Sequence, residues 1–191
     1  MVGNQPNYSK MDILRCFLRL GRDTSRQELA KDLELGEGTM RTILDILKSR
    51  KLLDATKKGH FLSREGKRLL EKIHYYISEP KKLIIKKIYP GHIKIGVRVR
   101  DVQNLRNLYK LRDTAVKNGA DGAVILKFEN KLYVPESDSK HRYKELEKIF
   151  EFKNNDILVV GFSHNKRASE NGALSIAVEL SSILQKFINE F

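Results

Sequence analysis

A group of residues between positions 38 and 48 has the side chains and the spacing needed to read the edges of base pairs. Arginine donates two hydrogen bonds to guanine, threonine bonds to several bases, and aspartate accepts a hydrogen bond from cytosine. Lysine binds phosphate oxygens, and a glycine at a helix start either lets the helix approach a phosphate closely or serves as a flexible N-cap. The residues that predict a DNA-reading surface are Gly38, Thr39, Arg41, Thr42, Asp45 and Lys48.

These residues share the polar side of a predicted helix. Its apolar side repeats at i, i+3, i+4 and i+7 and consists of Met40, Ile43, Leu44 and Leu47. A second helical pattern covers residues 25–33, and the connection between the two contains Gly36, for which we expect a positive φ. Two short helices joined by a tight turn predict a helix-turn-helix, whose second helix enters the major groove. The same pattern also fits a helical hairpin in a core that binds no DNA.

A short β-hairpin is predicted directly after this motif. Residues 52–56 and 60–63 are strand-like and flank a turn that contains Gly59. A helix-turn-helix followed by a hairpin is the element order of a winged helix. The basic residues at the tip of this wing, suited to contact the phosphate backbone or the minor groove, are Lys57, Lys58 and His60. The alternative is a solvated turn without a nucleic-acid contact.

The sequence marks the start of the helix predicted at residues 25–33 and the end of the helix after the hairpin. Ser25 with Glu28 fits a capping box at the start of the helix predicted at residues 25–33, and Thr24 with Gln27 fits that motif equally well. Pro80 disfavours helix at the residue before it, so the helix after the hairpin ends there. We therefore predict a winged-helix DNA-binding domain at residues 1–78 and an α/β domain for ligand sensing or dimerisation at residues 79–191.

Composition limits the classes of protein to consider. The chain has 191 residues, a net charge of +13 and a pI of about 9.8. Such a charge favours polyanionic partners, although the excess of Lys and Arg is spread over both halves. Aromatic residues make up 8% of the chain and Trp is absent, which disfavours the stacking platforms of single-stranded RNA binders.

Cysteine content and hydropathy restrict the compartment and the chemistry. The single cysteine, Cys16, lies on an apolar helical stripe, which favours a buried, inert thiol over a reactive one. No apolar run reaches the roughly 20 residues that span a bilayer, and residues 1–10 form no apolar signal core. We therefore expect a cytoplasmic protein without a membrane partner.

The second half alternates strand and helix patterns in the order ββαββαβα. Strands are expected at residues 82–88, 92–99, 122–128, 132–134 and 156–162, and helices at residues 105–118, 143–150 and 168–189. This order predicts a small α/β (α+β) sandwich behind the winged helix. The apolar stripe of the last helix either covers the sheet, which we favour, or forms a dimer seam. A basic row along the second strand, either a ligand face or a solvent-facing side, consists of Lys94, Arg98 and Arg100.

The segment that leaves the last strand is the best candidate for a ligand site in this half. It enters a helix N-terminus, where free N–H groups and the helix dipole favour an anion. A small carboxylate or phosphate effector would fit there, and a polar capping loop without a ligand is the alternative. The candidate effector-binding residues are Ser163, His164, Asn165, Lys166, Arg167 and Ser169.

Motifs for catalysis are missing from the sequence. The sequence contains neither of the phosphate-binding glycine motifs, G-x-x-x-x-G-K-[ST] and G-x-G-x-x-G. The G-x-S-x-G motif of the nucleophile elbow in serine hydrolases is also absent. There is no cysteine cluster and no helical histidine pair to suggest a metal. We therefore expect no cofactor, no metal site and no catalytic residues.

Several stretches resemble one group of proteins. Leu33–Leu44 (L-E-L-G-E-G-T-M-R-T-I-L) and Gly59–Lys67 (G-H-F-L-S-x-x-G-K) are similar to archaeal winged-helix proteins with an attached domain of unknown function. The short pieces at residues 111–115, 122–126 and 134–136 fit the same group. The resemblance implies a DNA-binding transcription regulator with no known effector or operator.

The sequence therefore favours a transcription regulator that binds double-stranded DNA as a homodimer. Its second domain would sense a small anionic effector or mediate dimerisation. One alternative is a small metabolite- or nucleotide-using enzyme with an accessory winged helix. Some archaeal riboflavin kinases have that arrangement, but the glycine-rich nucleotide loop they use is not found here. A third hypothesis is an RNA- or protein-interaction module.

Overall fold

A computed structural model describes residues 7–20, 24–56, 59–85, 88–135, 137 and 143–191. The chain divides into two compact units, Met1–Ile73 with Glu190–Phe191, and His74–Asn189. Helices and strands are both present in quantity, as the mixed α/β prediction requires. Among the described helices, none is long and apolar enough to cross a membrane.

The N-terminal unit has the element order of a winged helix. Its elements are α1 (Lys10–Arg19), α2 (Arg26–Leu33), α3 (Glu37–Ser49), β1 (Leu53–Thr56), β2 (Gly59–Leu62) and α4 (Arg64–Tyr76), the last of which extends into the second unit. Strands β1 and β2 are antiparallel, with Leu53 opposite Leu62 and Thr56 opposite Gly59. An isolated antiparallel bridge joins Thr24 to His60 of this hairpin.

Side-chain caps fix the starts of the first two helices. Ser9 and Asp12 form a capping box at α1, and Ser25 and Glu28 form one at α2. The structure thus selects the Ser25 register of the two predicted alternatives. Hydrogen bonds from the hydroxyl and the backbone N–H of Ser25 hold the pKa of Glu28 below its usual value. The N-terminal end of α2 is therefore set by the sequence next to it.

The turn between α2 and α3 differs from the prediction at Gly36. This glycine is the N-cap of α3 and has an extended conformation, with φ −66° and ψ 149°. The left-handed residue is Glu34, the C-cap of α2, with φ 56°. The prediction of a positive φ at Gly36 was wrong, because the chain reverses at the end of α2 rather than at the start of α3.

Apolar residues of the three helices form the core around α3. Helices α1 and α2 each pack against α3, and α3 packs against β1. The predicted apolar stripe of α3 is almost completely buried. Cys16 of α1 is buried as expected, and its Sγ lies 3.8 Å from Sδ of Met40. The core therefore holds α3 by one side and leaves its other side uncovered within this motif.

We expect the thiol of Cys16 to resist alkylation and disulfide exchange in the native protein. Burial raises the pKa of Cys16 to about 12, so at pH 8 roughly one thiol in 10,000 is ionised. Reaction with a chromogenic disulfide should be at least about 100-fold slower in buffer than in guanidinium chloride. Rapid stoichiometric labelling of the native protein would contradict this assignment.

The C-terminal unit is built on a five-stranded antiparallel sheet. Its strands follow the order β3-β4-β7-β5-β6, so the last strand in the chain is the central one. The strands are β3 (Lys81–Leu83), β4 (Ile93–Val99), β5 (Gly122–Glu129), β6 (Lys131–Tyr133) and β7 (Ile157–Ser163). The helices are α5 (Leu108–Lys117), α6 (Lys144–Glu147), α7 (Lys166–Leu180) and α8 (Ser182–Asn189).

Both faces of this sheet are covered. Helix α7 packs against β4, β5 and β7, and α5 packs against α7 and β5. The prediction that the last helix covers the sheet is therefore confirmed for α7. A second apolar cluster, around Leu126, Leu158 and Phe150, lies on the other face. Coverage of both faces explains why every residue of β7 is buried.

Three predicted elements have different bounds in the structure. The single helix expected at residues 168–189 is interrupted at Ser181, which has an extended conformation between α7 and α8. The strand expected at residues 82–88 is limited to β3, and Lys86 and Lys87 lie outside the described residues. The helix expected at residues 143–150 is the single turn α6. Apolar periodicity located each segment but did not fix its ends.

Candidate functional site

The polar side of α3 is exposed, while its apolar side is buried. Gly38, Arg41, Thr42, Asp45 and Lys48 are all exposed, and Thr39 is half-buried at the edge of the same face. Their spacing of three and four residues places them along one side of the helix. The six residues predicted to read DNA therefore lie together on one helix, and of these six Thr39 is partly buried.

Two local contacts limit what this surface offers to a ligand. The hydroxyl of Thr42 donates to the carbonyl oxygen of Gly38 at 3.2 Å, so its methyl group and an acceptor lone pair remain for a base. At the start of α3, Arg26 lies 3.6 Å from Glu37. Neither contact involves Arg41, which leaves its guanidinium the strongest donor on the exposed side of the helix.

Of the three residues predicted at the tip of the wing, the structure describes His60. Lys57 and Lys58 lie outside the described residues. His60 lies within β2, opposite Ala55, and its Nδ1 is buried without a hydrogen-bond partner among the described residues. Burial lowers the pKa of His60, while the charge of Asp45 acts in the opposite direction. The ring is therefore mainly neutral at pH 7 and is poorly suited to attract a phosphate by charge.

A second arrangement of polar residues lies at one edge of the C-terminal sheet. Strands β4 and β5 both run antiparallel to the central β7, so their starts meet the end of β7 at the same edge. His92 directly precedes β4, Asp121 directly precedes β5, and His164 directly follows β7. The register reinforces this, because Ile93 lies opposite Ser163 and Gly122 lies opposite Phe162. Three residues far apart in the chain are thereby brought together; we call them the sheet-edge triad.

The triad is close-packed. Nε2 of His92 lies 3.5 Å from Oδ2 of Asp121, and the rings of His92 and His164 stack with centroids 4.3 Å apart. The backbone N–H of His164 donates to Oδ2 of Asp121 at 3.3 Å. One potential ligand atom from each of the three residues lies within 4.8 Å of the other two. The carboxylate is thus held between an imidazole and the end of β7.

A tight turn positions His92. Residues 89–92 close with a hydrogen bond from the N–H of His92 to the carbonyl oxygen of Tyr89, and Gly91 has φ +83°. Proline at the second position and a positive-φ glycine at the third are typical of a type II turn. Nδ1 of His92 lies 3.2 Å from the carbonyl oxygen of Pro90. The turn therefore orients the imidazole, and its Nε2 points toward Asp121.

An aromatic pair supports the same ring from behind. Tyr89 and Phe162 stack with centroids 3.7 Å apart, and His92 meets Phe162 edge-on at 5.6 Å. Gly122 makes room for this packing, since a Cβ there would lie 2.6 Å from the ring of Phe162. The triad thus has an apolar wall on one side, while His164 is exposed on the other.

The predicted effector loop, residues 163–169, is largely used for helix capping. The side chain of Asn165 caps α7 by accepting from the N–H of Ala168 at 2.9 Å. Ser169 is fully buried, and its hydroxyl lies 2.9 Å from the carbonyl oxygens of both Ile93 and Asn165. Ser163 is buried at the end of β7, and Lys166 and Arg167 are half-buried in the first turn of α7. His164 is the residue of this loop that belongs to the triad.

The basic row on β4 is not a solvent-facing side. Lys94 and Arg98 are buried, and Arg100 is half-buried. Nζ of Lys94 donates to the carbonyl oxygen of His92 at 3.0 Å. The guanidinium of Arg98 lies 3.8 Å from Asp156 and donates to the carbonyl oxygen of Glu151. These cations hold surrounding segments of the unit in place.

Sequence reasoning did not find His92 and Asp121. Neither belongs to a short ligand motif, and their proximity depends on the pairing of β4 and β5 with a strand much later in the chain. The signal that could have located them is positional, because His92 is the first residue of one predicted strand and Asp121 directly precedes another. Without the strand order, that signal does not distinguish one edge of the sheet from the other.

Comparisons with known proteins match both units. The model of the PH0730-like N-terminal domain matches residues 11–68, and that of a domain of unknown function, DUF4443, matches residues 90–180. The chain is also similar to the solved structure of a hypothetical protein, PH0730, from Pyrococcus horikoshii OT3. The two are 26% identical with a TM-score of 0.78, over 95% of this chain and all of that one. No curated protein sequence matches the chain. The comparisons confirm the resemblance to archaeal proteins that carry a domain of unknown function.

Proposed function

We propose that the protein is a transcription regulator that binds double-stranded DNA through α3. The observation that carries the proposal is the division of this helix into two sides. Its apolar stripe is buried, whereas Arg41, Thr42 and Asp45 are exposed on the opposite side. A helix held in this way by a helix-turn-helix core is suited to enter the major groove.

The residues on the exposed side supply complementary functions. Arg41 can donate two hydrogen bonds to a guanine, and the Thr42 methyl group can contact a thymine. Lys48 lies farther along the same side and is suited to a phosphate. The charge of +13 adds attraction without sequence preference. Specificity would therefore come from the first half of α3 and affinity from the basic residues around it.

The proposal includes a homodimer. Two-fold protein symmetry matches two-fold symmetric DNA sites, with the two reading helices about 34 Å apart, one helical turn of DNA. The C-terminal unit would mediate this pairing or respond to a small effector. Sedimentation of the free protein and of its DNA complex tests the stoichiometry, and one chain per selected site would reject the dimer.

The decisive experiment is selection of duplex sites from a random pool by the full-length protein. We expect one enriched sequence, bound at least about 1,000-fold more tightly than a scrambled duplex at the same salt concentration. Affinity should fall steeply with added salt, because counterions are released from each neutralised phosphate. Equal affinity for selected and scrambled duplexes, with no enrichment, would reject the proposal.

Substitution of Gly38 by Ala tests whether the start of α3 approaches DNA closely. A Cβ at Gly38 meets nothing within 4 Å, so we expect the free energy of unfolding to rise by about 0.4–1 kcal/mol. If the helix start lies against a phosphate, DNA affinity should fall by roughly 0.5–1.5 kcal/mol, the value of one hydrogen bond. Melting curves and binding isotherms of the same preparation separate the two effects. Because Gly36 and not Gly38 is the N-cap of α3, unchanged DNA affinity in the stabilised variant would show that Gly38 makes no close approach to DNA.

A further inference from the structure

We propose that the sheet-edge triad, His92, Asp121 and His164, binds a divalent transition-metal ion. The ligands would be Nε2 of His92, a carboxylate oxygen of Asp121 and one ring nitrogen of His164. This site lies entirely within the C-terminal unit and stands independently of DNA binding. Among the described residues, these three side chains form a group whose potential ligand atoms all lie within 4.8 Å of one another.

The first argument is distance. Ligand atoms about 2.0–2.1 Å from a tetrahedral zinc ion are separated from one another by about 3.4 Å. Nε2 of His92 and Oδ2 of Asp121 are already 3.5 Å apart. The third ligand atom lies within 4.8 Å of both, and its side chain is exposed. A small rotation of the His164 ring would bring it to the required spacing without a change in the core.

The second argument is the orientation of the ligands. Metal-binding histidines usually donate their other ring N–H to a carbonyl or carboxylate oxygen, which fixes the tautomer. His92 has this arrangement, with Nδ1 3.2 Å from the carbonyl oxygen of Pro90. Asp121 is likewise oriented, because it accepts from the backbone N–H of His164. Two of the three ligands therefore have the supporting contacts that a metal site needs.

The ligand set indicates which ions would bind. Two imidazoles and one carboxylate suit Zn²⁺, Co²⁺, Ni²⁺ or Fe²⁺, whereas Mg²⁺ and Ca²⁺ prefer oxygen ligands alone. Three protein ligands leave at least one coordination position for water or a small anion. An anion at residues 163–169 would then be held by the metal ion, and not only by the N-terminus of α7.

The test uses untagged full-length protein, freed of metal with a chelator and titrated with zinc chloride in the presence of a competing chelator. We expect one tight zinc site per chain, unaffected by excess Mg²⁺. Substitutions Asp121→Asn and His164→Ala should each weaken zinc binding at least about 100-fold. Cobalt(II) provides a second readout, since the visible absorption of a protein-bound ion should disappear in both variants.

Matched variants distinguish the triad from general effects of charge and histidine content. Asp113→Asn removes an exposed carboxylate on α5, and His60→Gln removes a histidine in the other unit. Both should retain wild-type zinc affinity. Because His164 is exposed, His164→Ala is expected to fold normally, and its melting temperature without metal verifies this. Absence of zinc binding by the wild type, or full binding by Asp121→Asn and His164→Ala, would overturn the proposal.

Discussion

Replacing Arg41 with Ala is expected to weaken binding to the selected DNA sequence by about 1–3 kcal/mol, roughly 5- to 150-fold. Arg41 is exposed near the N-terminal end of α3, where a reading helix contacts base edges. Loss of its two hydrogen bonds would leave the guanine acceptors without a partner inside the interface. Titration of the selected duplex, and of duplexes mutated one base pair at a time, measures the effect. The variant should also lose discrimination at one base pair.

A matched arginine separates base contact from charge. Arg68 is exposed on α4, so Arg68→Ala removes the same charge from another helix of the winged-helix motif. This control should change affinity for selected and scrambled duplexes equally and only slightly. If Arg41→Ala also weakened both duplexes equally, Arg41 would be a phosphate contact. If it changed neither, α3 would not be the reading helix.

Local sequence was sufficient to predict the N-terminal motif. The apolar stripe of α3 has a period that only a helix buries on one side, and all four of its predicted members are buried. The capping residues next to α2 act within one turn, so the start of this helix could be located to within one residue, and the structure decided between Ser25 and Thr24 as its N-cap. The exposed side of α3 followed directly from these two features.

Tertiary context decided the features that were not predicted. Glu34 adopts the left-handed conformation that glycine at 36 was expected to supply, because the turn is closed by the end of α2. Ser181 interrupts a stripe whose periodicity continues on both sides. The sheet-edge triad depends on β7 lying between β4 and β5. Strand order of this kind is set by long-range packing, which local patterns do not encode.

Substitution of Gly161 by Ala should destabilise the C-terminal unit by about 3 kcal/mol, at the upper end for an overpacked core position. Gly161 lies in the central strand β7, directly beneath α7. A Cβ there would lie 2.2 Å from the carbonyl oxygen of Ser169 and 2.7 Å from the backbone nitrogen of Ala173. Because both atoms belong to the helix backbone, no side-chain rotation can relieve the collision. The helix must move away from the sheet, which separates apolar surfaces that are now buried.

Thermal and denaturant unfolding measure this cost, and Gly119→Ala is the matched control. Gly119 has φ +92° and a Cβ there meets nothing within 4 Å, so its substitution introduces backbone strain without a collision. We expect that strain to cost about 1–2 kcal/mol, clearly less than the collision at Gly161.

The displacement of α7 should also disturb the contact of Ser169 with Ile93, next to the sheet-edge triad. Zinc affinity should therefore fall with stability in Gly161→Ala but persist in Gly119→Ala. Equal stability of the two variants would show that α7 can shift at little cost, and that its close approach to β7 does not hold this edge of the sheet.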